Sequence, residues 1–114
     1  RCHVIDDRVP TLNNLFTGIP ENLPQELFQC LMEGEGVRIE RIDSRGHVTA
    51  PNEWYDQKRS EWVLVLRGRA LITFAEKASV TLEEGDYVNI AAHERHRVEW
   101  TSPDEDTIWL AVHY

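Results

Sequence analysis

Apolar residues in this chain come in short runs, and each run is closed by residues that turn the backbone. The runs cover 27–32, 36–43, 46–49, 53–57, 61–67, 69–74, 78–82, 86–90, 95–101 and 107–114. Between them stand Gly34 and Gly36, Ser44-Arg45-Gly46, Pro51-Asn52, Gly68, Glu84-Gly85 and Ser102-Pro103-Asp104. No window sustains a helical period, and no 20–50-residue repeat is present. Many short strands with regular turn signals fold as an antiparallel sandwich or barrel, so an all-β domain is expected. At 114 residues the chain has room for one such domain.

Residues 1–26 break this rhythm. Pro10, Gly18, Pro20 and Pro24 interrupt any pattern, and Asn13, Asn14 and Asn22 favour turns. Leu12, Leu15, Phe16, Ile19 and Leu23 still need cover. The segment is therefore expected to pack across the barrel domain, 27–114, or across a partner chain, with a short helical turn near Leu12–Thr17.

Twenty acidic and twelve basic residues give a formal net charge of -8. The basic residues are scattered, with none of the clustering that phosphate backbones require, so a nucleic-acid partner is not expected. A local cationic pocket stays open. No apolar stretch is long enough to span a membrane as a helix. Cys2 and Cys30 form neither a disulfide framework nor a C-x-x-C spacing. Cys30, between Phe28 and Leu31, reads as a small buried thiol. With no secretory signal in view, a Cys2–Cys30 disulfide is not expected and a cytoplasmic setting is.

Strand parity singles out particular side chains. Residues two apart share a face. Along 95–100, His96, Val98 and Trp100 share the face expected inside. Along 61–66, Glu61 lies with Val63 and Val65, while Trp62, Leu64 and Leu66 fill the other face. That second apolar face predicts a homodimer packed through it, unless the N-terminal segment covers it. Glu61 is costly to bury without a cation or a donor. Left alone it reads as a strand-end carboxylate in solvent, and His96 as a core histidine hydrogen-bonded to a neighbour.

Two motifs change that balance. Glu61–Gly68, E-W-V-L-V-L-R-G, resembles the second half of the first cupin motif, with a glutamate seven positions before a glycine. Gly85–His96, G-D-Y-V-N-I-A-A-H-E-R-H, resembles the second motif, and 69–84 has the length of the hairpin between them. The resemblance spans about 36–114. It looks closest to small bacterial single-domain cupins ending as His96–Thr101 and Thr107–Tyr114 do. It implies a double-stranded β-helix, or jelly-roll, barrel with Glu61 and His96 facing each other inside.

The resemblance also implies a metal site, and here the chain departs from the family. Cupins with a well-defined metal carry a His-x-His pair before the glutamate. Those places hold Trp54 and Asp56 in one spacing, or Tyr55 and Gln57 in the other, and the second motif has Ala91 and His93 for Pro and Gly. Glu61 and His96 survive, and Asp56 or Gln57 could add an oxygen. Such a His/carboxylate site admits a divalent ion such as zinc, manganese, iron or nickel. The competing arrangement is a metal-free pocket for a small molecule around Glu61 and His96. Trp54, Tyr55, His93 and Trp100 are the candidate ligand-binding residues. Trp62 and Trp109 read as packing, and His47 and His113 as strand residues without special roles. No nucleophile or phosphate-loop motif is present.

Three functions stay open on these grounds: a small metal-dependent enzyme such as a dioxygenase or isomerase, a non-catalytic ligand-binding module, and a metal-free structural module.

Overall fold

The alternating runs form eight strands and no helix among residues 8–114, the part that the computed structural model describes. They are β1 (Leu27–Gly34), β2 (Val37–Ser44), β3 (Glu61–Arg67), β4 (Ala70–Phe74), β5 (Val80–Leu82), β6 (Tyr87–Ile90), β7 (His96–Thr101) and β8 (Thr107–His113). A five-stranded sheet runs β1-β2-β8-β3-β6 and a three-stranded sheet runs β5-β4-β7. Every pairing is antiparallel.

The runs at 46–49 and 53–57 are not strands. Positive φ angles at Gly46 and Asn52 bend the chain there. The segment instead lies along the open flank of β7. The Thr49 N–H donates to the Val98 carbonyl and the Val98 N–H to the Thr49 hydroxyl oxygen, Tyr55 exchanges two backbone bonds with His96, and the Thr101 hydroxyl donates to the His47 carbonyl. The Leu12–Thr17 region makes a single turn, Thr17 N–H to the Asn14 carbonyl at 3.3 Å, and not a helix.

Register fixes what the two sheets enclose. Arg38, His113, Glu61 and Ile90 form one row across the large sheet. Glu40, Ala111, Val63 and Val88 form the next, and Ile42, Trp109 and Val65 the third. Opposite them stand Phe74 with His96, Ile72 with Val98, and Ala70 with Thr101. The interior thus grades from charged at one mouth to apolar at depth. Ile42, Val63, Val65, Ala70, Ile72, Phe74, Leu82, Ile90, Trp109 and Ala111 make one buried cluster. Burial of that surface is what holds the two sheets together.

The outer face of β2 carries a buried ion pair, Arg41 Nε to Asp43 Oδ1 at 3.3 Å. The Arg41 guanidinium donates to the carbonyls of Leu15, Thr17 and Gly18, and Arg45 donates to that of Glu21. Two arginines therefore strap the segment before β1 onto the sheet. Phe16 lies under the Arg67 guanidinium. Trp62, Leu64 and Leu66 are half-buried, with Trp62 against Tyr87. Phe28, Leu31 and Met32 on the edge strand β1 are among the exposed apolar side chains.

Cys30 is disulfide-bonded, which corrects the expectation of a free thiol; Cys2 lies outside the described residues.

Candidate functional site

Glu61 opens β3 and His96 opens β7, on different sheets. The structure brings them together: His96 Nε2 stands 3.7 Å from Glu61 Oε1, and both side chains are buried. The His96 ring is fixed on every side. Its Nδ1–H donates to the Glu94 carbonyl at 2.9 Å, Tyr55 stacks on it at 5.6 Å, and Phe74 closes the far side. That leaves Nε2 as the nitrogen aimed at the site. Burial works against charging this imidazole, but Glu61 and the Glu94 carbonyl outweigh it and lift its pKa above the ordinary value.

Two residues without an assigned role join the pair. His113 is the direct neighbour of Glu61 across the β3–β8 ladder. Its Nε2 lies 2.8 Å from Glu40 Oε1 and 3.9 Å from Glu61 Oε2. The hydrogen bond that His113 donates to Glu40 is the main cause of its raised pKa, against burial. Burial would raise Glu40, yet His113 and Arg38 together hold it below the usual carboxylate range. Small Ala111, between Glu40 and Val63 in the register, leaves room for the diagonal reach from Glu40 to His113. Parity in β8 could have found His113, which shares its face with Ala111 and Trp109. Glu40 was hidden because β2 carries charges on both faces.

The four groups form a chain. Glu40 touches His113, and Glu61 turns one oxygen to His113 and the other to His96. Among the described residues no three His, Cys, Asp or Glu side chains converge as metal ligands do. The remaining expected donors are drawn away. Asp56 pairs with His93 at 2.8 Å in an exposed position. Gln57 accepts the His93 N–H through its own carbonyl and turns its side chain to the cleft described next. The donor set does not fit the metal that the resemblance implies.

A cleft of about 330 Å³ opens at this mouth, lined by Arg38, Glu40, Gln57, Lys58, Arg59 and His113. Glu40 and His113 are its base, and Glu61 and His96 stand behind them. Of the expected ligand-binding residues, Tyr55 reaches the site through its contact with His96. His93 does not line this cleft; it has a positive φ of 64°, a conformation that suits the glycine of the family motif. Trp54 is half-exposed under Arg97. Trp100 is not inside. A β-bulge in β7 pairs Leu71 with Trp100 but Ile72 with Val98, which turns Trp100 outward, where Arg69 stacks on it.

Residues 38–113 match the model of the cupin domain family. A Ralstonia eutropha protein provisionally named a mannose-6-phosphate isomerase is similar in structure. It is 45% identical, covers 91% of this chain and 97% of its own, and gives a TM-score of 0.87. A cupin superfamily protein of Desulfitobacterium hafniense is 21% identical (83% of this chain, 82% of its own, TM-score 0.68). An RmlC-like cupin of Methanocaldococcus jannaschii, described as a double-stranded β-helix, is 13% identical (83% and 84%, TM-score 0.65). These last two bear on the fold alone. No curated protein matches the chain.

Proposed function

Because this chain belongs to the cupin family, we propose that it binds a small polar molecule at the barrel mouth and moves a proton on it, as an isomerase of hydroxy-carbonyl compounds does. The observation that carries the reading is the buried Glu40–His113–Glu61–His96 chain behind an open cleft. An isomerisation of this class needs a base beside the carbon next to the carbonyl and a donor beside its oxygen. Glu40, held as a carboxylate, takes the carbon-bound proton. His113, its pKa raised, donates to the developing oxyanion; Glu40 then gives its proton to the neighbouring carbon of the enediol while the other hydroxyl returns a proton to His113, so both groups are restored. Glu61 favours the charge on His113 from behind, and His96 stands at the other oxygen of that carboxylate. No step is routed through a metal, since the donor set does not fit one.

The named activity of the 45% identical relative suggests the first substrate to try. Wild-type protein is incubated with mannose 6-phosphate in deuterium oxide, and proton magnetic resonance follows the C2 hydrogen. Exchange for deuterium that is lost in Glu40→Gln and His113→Gln supports the reading. A specific observation favours a second one, a binding module without catalysis: the 3.7 and 3.9 Å separations around Glu61 exceed hydrogen-bond reach, so the chain is not closed as it stands. Saturable binding without exchange would select that second reading.

The proposal includes a homodimer. Its support is the eight-residue strand β1 at the edge of the large sheet, with Phe28, Leu31 and Met32 exposed.

A further inference from the structure

We propose that Arg38, Lys58 and Arg59 form an anion subsite at the rim of the cleft, which anchors a phosphate monoester group of the ligand. The inference rests on the proposed ligand-binding reading and names its substrate class. Three of the chain's twelve basic residues line this one cleft, although the whole chain carries a formal charge of -8. Arg38 is shared between Glu40 and Glu33, each at 3.5 Å, so the surplus positive charge of the cleft comes from Lys58 and Arg59.

The Glu40 carboxylate is already matched, by His113 at 2.8 Å and by Arg38 at 3.5 Å. Lys58 and Arg59 are exposed and form no ion pair among the described residues, so their charges remain available. Focused positive potential in an otherwise acidic molecule draws anions to that spot. A dianion is held by two neighbouring cations better than a carboxylate is, and guanidinium groups suit phosphate oxygens in pairs.

The backbone holds the cations in place. Ser60 and Tyr114 exchange both backbone hydrogen bonds, at 2.9 and 3.0 Å, which ties the residue after Arg59 to the end of β8 beside His113. One residue before Lys58, the Gln57 carbonyl accepts the His93 N–H at 2.7 Å. Lys58 and Arg59 are thus clamped on both sides within reach of the cleft. A volume of about 330 Å³ lies at the lower end of small-molecule sites. A ligand anchored by phosphate at this rim would point its other end at Glu40 and His113.

The test titrates ¹⁵N-labelled full chain with sodium phosphate at constant ionic strength, followed by amide shifts. Sodium sulfate and sodium acetate are the parallel arms. Expected are saturable shifts of residues 38, 57–60 and 113 with phosphate and sulfate, and much weaker ones with acetate. Lys58→Gln/Arg59→Gln, both at exposed positions, should bind phosphate about 10- to 100-fold more weakly, the loss of two charge-assisted contacts. Acetate binding as tightly as phosphate overturns the phosphate assignment. Phosphate binding unaffected by the double variant, or shifts scattered over the surface, overturns the subsite. Phosphate binding that survives while deuterium exchange is absent retains the subsite and removes the proton-transfer reading alone.

Discussion

Glu40 and His113 matter more to this site than either residue suggests in isolation, because each sets the charge of the other. His113 and His96 both have pKa values raised above the ordinary 6.5. Their stabilising contribution is therefore complete below that value and is lost as pH rises through the higher folded values. Glu40 lies below its ordinary 4.5, so its contribution is present above that value and is lost on acidification through the lower one. The thermal midpoint should therefore fall as pH is raised from about 6 to about 8. His96→Gln/His113→Gln should flatten that decline, as differential scanning calorimetry across the range would show. Arg38, Glu40, Glu61 and the Glu94 carbonyl are the groups facing the two imidazoles. On the other face, Asp43 is fully buried and neither carboxylate oxygen has a hydrogen bond. Burial raises its pKa against the pull of Arg41. Arg41→Ala should cost about 3–5 kcal/mol by urea unfolding, because it strands that carboxylate. Replacing both, Arg41→Met with Asp43→Leu, should recover most of the loss.

The elements are placed by a few backbone devices. Gly68 joins β3 to β4 with a φ of +89°, and a Cβ there would lie 2.6 Å from the Asp106 carbonyl and 2.7 Å from Thr107 Cα. Both are backbone atoms that cannot swing aside. Gly68→Ala should therefore destabilise by about 2 kcal/mol or more, conformational strain with steric overlap added, read as a lower urea midpoint at unchanged slope. The bulge in β7 is a second device. It keeps His96 and Val98 inside while reversing the parity of Trp100. A two-residue rhythm shows which residues share a face only until an extra residue enters, and nothing in R-V-E-W-T announces that residue. The strap is a third: Arg41 and Arg45 reach backbone carbonyls 23 to 26 residues earlier, contacts that no local pattern encodes.

At the scale of the molecule, the β1 edge and the donor chain at the mouth make two further expectations. Sedimentation equilibrium at micromolar concentration should give twice the chain mass of 13.3 kDa. Phe28→Glu/Met32→Glu should return the single-chain mass, since an edge bearing two carboxylates repels its own copy. Protein purified without a histidine tag should carry well under one equivalent of transition metal per chain. Dialysis against a chelator should leave its thermal midpoint unchanged. Either result reversed would mean that Glu40, Glu61, His96 and His113 close around an ion that their present separations do not accommodate.

The sequence by itself determined the all-β class, the cupin likeness and the inward placement of Glu61 and His96. Those are local properties: alternation, turn chemistry and the spacing of two motifs. The same local evidence favoured strands at 46–49 and 53–57, where turns allow only single bridges to β7. Tertiary structure decided who stands beside Glu61. Arg38, His113 and Glu61 lie 23 and 52 residues apart in the chain but form one row, because β8 inserts between β2 and β3. That insertion puts Glu40 beside His113, lets 57–60 present Lys58 and Arg59 at the same mouth, and leaves Asp56 with His93. Sheet order and register are long-range facts, set by how the apolar faces of all eight strands can be buried together, and no single stretch of sequence carries them.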